Sequence, residues 1–498
     1  MSAHSMHRPW RFRALLAPCW FLAPCLIANP SLAQTPATAP APAVNAAATP
    51  TANAPTPTNA LDPALQIRFT KYTLDNGLEV ILHRDTSLPL VALNMWYHVG
   101  PVNEPPGRSG FAHLFEHLMF EGSRYVGRQF DTLLESVGAT NVNGTTSWDR
   151  TNYFETVPSE HLELLLWLES DRMGYMLDAI TQERLDVQRG VVKNERRQSY
   201  ENQPYGPSTL ALYDALYPKG HPYHGAVIGS MEDLDRASLQ DVQQFFRDYY
   251  APSNATLVLA GDFDEARTLL LIEKYFGGLP KKPRPRTQHP LTPPLKSEIA
   301  LTVKEGVDLG RVTLSWLTPP AFSAEETALA VATEILAGGK ASRLYQELVV
   351  KRKIASDVSA YVDANALCSD VEVSAMVASK AKPEQVQQVI SSVLDDLAQH
   401  GPSDAELARA KKGMEVELKS SLQLLNGHGG ESGRAGILQR LNHYLGDPGR
   451  LAAEWQKTLA VTPADVQRVV RDYLRPDRRA VMNTVPAAPD AGSNGGAP

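Results

Sequence analysis

The stretch from Gly110 to Gly122 reads GFAHLFEHLMFEG and sets His113, Glu116 and His117 among six large apolar side chains. At 3.6 residues per turn, positions i, i+3 and i+4 share one face of a helix. The two imidazoles and the carboxylate therefore converge while the apolar residues cover the rest of the surface. A buried imidazole or carboxylate without a partner is costly, so the fold must satisfy all three. Two neutral imidazoles four residues apart can hold a zinc ion as neighbouring ligands, with at least one further protein ligand supplied from elsewhere. Glu116, one residue before His117, projects beside such a metal and can take a proton from zinc-activated water. The third ligand is to be sought downstream, in GVVKNERRQSYEN, where Glu195 sits in a helical pattern with Val191 and Val192 on its apolar side. Spacing alone equally allows Glu195 to pair with Arg196 or Arg197 on a solvated face.

The elements that must position these residues fall into two blocks, at about 61–280 and 298–486, joined by a proline- and charge-rich linker at 281–297. The first block opens with a hairpin signal, Asp75-Asn76-Gly77 between IRFTKYTL and LEVILHRD. A strand at VALNMWYHV follows, then the helix of the opening stretch, helical patterns at HLELLLWLESDRMGYM and RLDVQRGVVKNERRQSYEN, and a closing strand at ATLVLAGDF. The second block repeats the mixture, with strands at EIALTV and RVTLSWL and helices at AEETALAVATEILAG and PEQVQQVISSVLDDL. The pattern is α+β with largely antiparallel sheets. DVQQFFRDYYAP at 241–252 recurs as DVQRVVRDYLRP at 465–476, with seven of twelve positions identical. That match implies two homologous domains. Nothing in the second copy resembles the His/Glu helix.

With 498 residues, 43% of them hydrophobic, the chain can bury two or three cores. Arg8, Arg11 and Arg13 precede an apolar run, Ala14 to Ile27, and Ser31-Leu32-Ala33 is a small-x-small site, so residues 1–33 read as a cleaved secretory signal. The run contains Pro18 and Pro24 and falls short of the roughly 20 apolar residues that a membrane span needs. Two LAPC strings ending at Cys19 and Cys25 also suggest lipid attachment, which a proline before the cysteine fits poorly. Removal of the signal leaves Cys368 as the only thiol and takes the formal charge from −7 to −10, against a nucleic-acid partner. Residues 34–60, rich in Ala, Pro and Thr, and the tail 487–498 are expected to be disordered. No later segment has the continuous apolar length of a transmembrane helix. The expected location is therefore periplasmic, across the inner membrane.

His113-Leu-Phe-Glu116-His117, followed after 77 intervening residues by Glu195, resembles the inverted zinc signature of the insulinase/pitrilysin (M16-type) family of metallopeptidases. Further family-like segments follow in order: VVKNERRQSYENQPYG, HPYHGAVIGSMEDL, YYAPSNATLVLAGDF and ILAGGKASRLYQELVVK. The resemblance implies that His113, His117 and Glu195 bind Zn2+ and that Glu116 is the general base. It also implies that NVNGTTS supplies an edge strand on which Asn143, Gly144 and Thr145 pair with an extended peptide or unfolded polypeptide substrate; an ordinary edge strand is the alternative. Two such domains make half of a clamshell chamber, so a partner chain is implied, either a homologous subunit in a heterodimer or a second copy in a homodimer. Several relatives have a second glutamate seven residues before the metal glutamate, where this chain has Gln188. Val349 and Ser356 stand where relatives carry an Arg/Tyr pair that clamps substrate and stabilises the oxyanion. A noncatalytic core subunit of a larger complex is the other function known in the family, and a broken metal motif would mark it.

Overall fold

Three strands of the first half are buried almost from end to end, which a sheet with one solvated face would not allow. The computed structural model describes residues 65–285, 289 and 291–487, so the expected signal, the 34–60 segment and nearly all of the tail lie outside the described residues. The first sheet holds β1 (Thr70–Thr73), β2 (Glu79–Arg84), β3 (Leu90–Tyr97), β4 (Thr140–Ser147), β5 (Arg150–Pro158) and β6 (Ala255–Gly261). Their order is β1-β2-β6-β3-β5-β4. All pairs are antiparallel except β2 with β6. The β1–β2 hairpin turns where Asn-Gly predicts, with Gly77 at φ 93° and the Asn76 side chain donating to Phe276 O (2.7 Å).

The second sheet holds β7 (Ile299–Glu305), β8 (Arg311–Thr318), β9 (Ala355–Asp363), β10 (Ser369–Val377) and β11 (Ala480–Pro486), in the order β7-β11-β8-β10-β9. With β7 and β11 parallel and the rest antiparallel, this is strand for strand the arrangement of β2-β6-β3-β5-β4. The repeated sequence motif explains itself here. Helices Leu239–Tyr249 and Pro463–Tyr473 lead into β6 and β11, and in both the motif's aspartate closes a capping box, Ser238 with Asp241 and Thr462 with Asp465. Behind the caps, Val242, Phe245 and Phe246 enter one core and Val466, Val469 and Val470 the other.

Each sheet is covered on one face by helices of its own half and on the other by a helix from the opposite half. On β3, Leu93, Met95 and Tyr97 face the first core, while Trp96 meets His443 of helix Gly433–Leu445 edge-on at 5.6 Å. Ala435 and Leu438 of that helix pack on Ile81, Val258 and Ala260 of the first sheet. In return, helix Gly206–Leu216 places Leu212 and Leu216 against Leu317, Ala480 and Met482 of the second sheet. This exchange removes apolar area from water on both faces of both sheets, at about 25 cal/mol per Å². It also makes each half's fold depend on the other's.

Candidate metal centre

Helix Phe111–Leu118 carries the opening motif and starts abruptly. Gly110 is left-handed (φ 86°), and a Cβ there would lie 2.6 Å from Ile228 O. Glu104 ties down the first turn, accepting from Gly110 N–H (3.0 Å) and Ala112 N–H (2.8 Å). Removal from water pushes the Glu104 carboxyl up to about 8 against the pull of those N–H donors. Phe111, Leu114, Phe115 and Leu118 enter the first core, with Phe115 stacked between Phe245 and Tyr250. That packing fixes the helix's rotation and turns His113, Glu116 and His117 together toward helix Gln182–Arg196 and the edge strand β4.

Glu195 stands on helix Gln182–Arg196, just before the chain widens into a π-helical turn at Arg197–Glu201. Its Oε2 lies 3.1 Å from His117 Nε2 and 3.7 Å from His113 Nε2. One donor atom from each of the three residues falls within 4.8 Å of the others, the only such grouping among the described residues. The local alternatives for Glu195 are engaged elsewhere: Arg196 pairs with Glu201 (3.1 Å) and Arg197 donates to Asn194 (2.9 Å). The expected apolar side of this helix needs one correction. Val192 is buried beside Leu185, but Val191 is 41% exposed, because a neighbour in sequence is turned about 100° away on a helix.

Glu116 is held from the strand side. Thr146 Oγ1 donates to Glu116 Oε2 at 2.6 Å, and a Cβ on Gly144 would lie 2.9 Å from Glu116 Cγ. Gly144 and Thr146 share a face of β4 and form the seat of this carboxylate. Sequence reasoning missed Thr146 and Glu104; alternation along NVNGTTS pairs Thr146 with Gly144, but nothing local says which face meets Glu116. Gln188 donates to Glu121 (2.5 Å) and lies close enough to His117 to favour its charged form. Burial disfavours charge on both imidazoles. For His117 the Glu195 hydrogen bond and the Glu116 charge outweigh it and raise the pKa, whereas for His113 burial prevails and the pKa falls. His113 Nδ1 is buried without a protein partner.

Asn143, Gly144 and Thr145 all lie on β4, the outermost strand of the first sheet. Its register with β5 slips between Thr140 and Asn143, where Asn141 takes φ 56°, so regular pairing runs over Asn143–Ser147. Of the three, Gly144 faces Glu116, while the Thr145 hydroxyl points to the other face and bonds to Asn152 and Gly429 O. Val349 lies in a π-helical stretch, Tyr345–Lys351, packed on the second core, and Ser356 is exposed at the start of β9. Neither side chain carries a positive charge.

Two family descriptions match this chain, "Insulinase (Peptidase family M16)" over residues 79–220 and "Peptidase M16 inactive domain" over 236–414. Zinc protease PqqE of Helicobacter pylori is 30% identical over 359 residues, covering 70% of this chain and 79% of that protein. The chain belongs to the insulinase (M16) family. An uncharacterized zinc protease of Streptomyces coelicolor is 27% identical over 418 residues, covering 81% of this chain and 86% of that protein. Among solved structures, a protease from Helicobacter pylori superposes with a TM-score of 0.77 at 27% identity, over 84% of this chain and 99% of that one. The periplasmic protease PqqL of Escherichia coli shares the fold at a TM-score of 0.69 and 19% identity, this chain spanning 47% of its length. The two-domain M16 architecture expected from the resemblance is thus the one observed, with helices and mixed sheets in both halves.

Proposed function

We propose that this chain is the metal-bearing subunit of a secreted, periplasmic zinc metalloendopeptidase that cleaves peptides or unfolded polypeptides. The observation that carries the reading is the convergence of His113, His117 and Glu195, with Glu116 fastened beside them by Thr146. The donor set suits zinc: two imidazole nitrogens and one carboxylate oxygen from two helices, leaving room for a further ligand. A bound zinc ion supplies Lewis acidity that acidifies water and polarises a carbonyl. Glu116 receives the proton on Oε1, since Oε2 is held by Thr146, and keeps it for the departing amine. An extended peptide adds to β4 as a further strand along Asn143, Gly144 and Thr145, which aligns its backbone with Glu116. The names of the relatives, zinc proteases and in one case a periplasmic protease, agree with this reading.

Activity is expected to depend on a homologous partner. With Val349 and Ser356 in place of an Arg/Tyr pair, this chain lacks the donors that relatives aim at the developing oxyanion. The partner supplies that pair and closes the chamber; a homodimer would close it without adding them. Metal analysis of the purified chain, together with a peptide-library digest alone and with a candidate partner, tests the whole reading. Bound zinc and partner-dependent cleavage are expected; a chain that takes up no zinc overturns it. Glu195→Gln exchanges an anionic ligand for a neutral amide and should weaken zinc binding by more than the roughly 10–100-fold that loss of an outer partner costs. Equal zinc content in variant and parent would assign the third ligand elsewhere.

A further inference from the structure

β4 pairs on one side only, and its pairing with β5 is interrupted at Asn141, yet the seat of Glu116 depends on its position. What steadies it lies on the opposite face, which Thr145 reaches by strand alternation. There the second half sends in the loop NGHGGESG, residues 426–433. Gly429 O accepts from Thr145 Oγ1 (3.2 Å) and Asn152 Nδ2 (3.2 Å), and Gly430 O accepts from Asn94 Nδ2 (2.6 Å). The buried Asn426 donates to Leu93 O (3.2 Å). Gly430 is left-handed (φ 65°), and a Cβ there would lie 2.4 Å from Asn152 Nδ2 and 2.6 Å from Phe154 Cδ1. Only glycine allows the loop to descend this far onto β5.

The fastening is charged. Arg150, 1% exposed at the start of β5, donates from Nη1 to Thr145 O (2.8 Å), Thr145 Oγ1 (2.5 Å) and Asn152 Oδ1 (2.7 Å). Its Nε donates to Glu431 Oε1 (3.1 Å), which also accepts from Nη2. Removal from water would raise the Glu431 carboxyl, but Arg150 beside it holds it below its ordinary value. A buried guanidinium that lost this carboxylate would be left uncompensated, so the hairpin and the loop are held as one unit.

We infer that the 426–433 loop is a positioning element of the first-half site: by gripping the far face of β4 through Thr145, Asn152 and the Arg150–Glu431 pair, it holds Gly144 and Thr146 against Glu116. The inference rests on the proposed roles of Glu116 and β4. It makes the second half, which contributes none of the three metal-donor groups, a determinant of the geometry around the base.

Amide hydrogen exchange on the full zinc-loaded chain tests it, read beside zinc content, kcat and KM for the parent, Gly430→Ala, Glu431→Gln and the milder Thr145→Val. Exchange over 143–147 should accelerate on the order of tenfold in the variants, with β1 and β6, which the loop does not bond, unchanged. Zinc content should hold, and kcat should fall on the order of tenfold. Unchanged exchange over 143–147 overturns the inference, as does acceleration spread evenly over the first sheet, which reports general destabilisation. Local loosening with an unaltered kcat also overturns it, since β4 would then be braced without consequence for the base. If Glu431→Gln fails to fold, Gly430→Ala and Thr145→Val decide. A parent inactive with every partner would instead sink the peptidase reading, while the exchange data still show whether the loop holds β4.

Discussion

The two halves share one strand order, yet the helix after β3 and the helix after β8 are buried on opposite terms. In the second half, helix Ala324–Ala337 runs 14 residues, is capped by Ser323, and packs Ala328, Leu329, Val331, Ala332, Ile335 and Leu336 into its core. In the first half, helix Phe111–Leu118 is 8 residues long and buries His113 and Glu116 among its apolar residues. An apolar helix needs only a core to pack on. A helix that buries an imidazole and a carboxylate, with a second imidazole half-buried beside them, needs partners from separate segments: Glu195 from one helix, Thr146 from an edge strand, Glu104 at its start. The frame is common to both halves, and among the described residues the cluster of polar partners occurs in only one of them, at sites the frame brings close.

The contrast between the halves breaks most sharply at Glu116. Glu116→Gln keeps the three proposed metal donors and removes the proposed base, so zinc should stay bound while peptide hydrolysis falls by on the order of 10²–10⁴. Retained turnover would take Glu116 out of the mechanism. The second half's deficit is tested by addition: a homologous secreted subunit carrying the Arg/Tyr pair should raise activity by on the order of 10²–10³. A verified homodimer as active as any heteromer would show that some other group of this chain serves the oxyanion. A smaller effect is expected at the strand side, where Thr146→Val keeps the shape but loses one hydrogen bond, costing about two- to tenfold in kcat. Thr146→Ser should restore most of it, and equal losses in both variants would assign Thr146 to packing alone.

The smallest effect concerns pH, and both halves contribute. Glu104, at the start of the site helix, has its carboxyl raised to about 8, and Glu334, on the second-half helix, to about 7, in each case chiefly by removal from water. A carboxyl raised by folding favours the protonated native state. Stability from these groups is complete below the usual carboxylate range and is lost as pH rises through about 7 for Glu334 and about 8 for Glu104. Thermal unfolding of Glu104→Gln and Glu334→Gln followed from pH 5 to 9 should show a flatter decline than the parent. A parallel decline in parent and variants would remove these two groups as its source.

Much of this was legible in local sequence. Helical periodicity in GFAHLFEHLMFEG sets three polar groups on one face because 3.6 residues per turn admits no other arrangement. Asn76-Gly77 marks the first hairpin, and the repeated DVQ motif marks two equivalent helices because each copy carries its own cap. Local spacing could not choose between Glu195 as a partner of the histidines and Glu195 as a partner of a neighbouring arginine. That choice was made when Arg196 and Arg197 found Glu201 and Asn194 and helix Gln182–Arg196 came to lie beside the site helix. Thr146, Glu104 and the 426–433 loop were likewise beyond sequence reading. Periodicity specifies which residues share a face of one element, whereas the partner of that face comes from wherever the chain returns. For Thr145 that return is 284 residues away, at Gly429. So the sequence by itself determined the elements, their repeat and the polar face of one helix. Tertiary packing decided what that face meets, through contacts between the halves that no local pattern encodes.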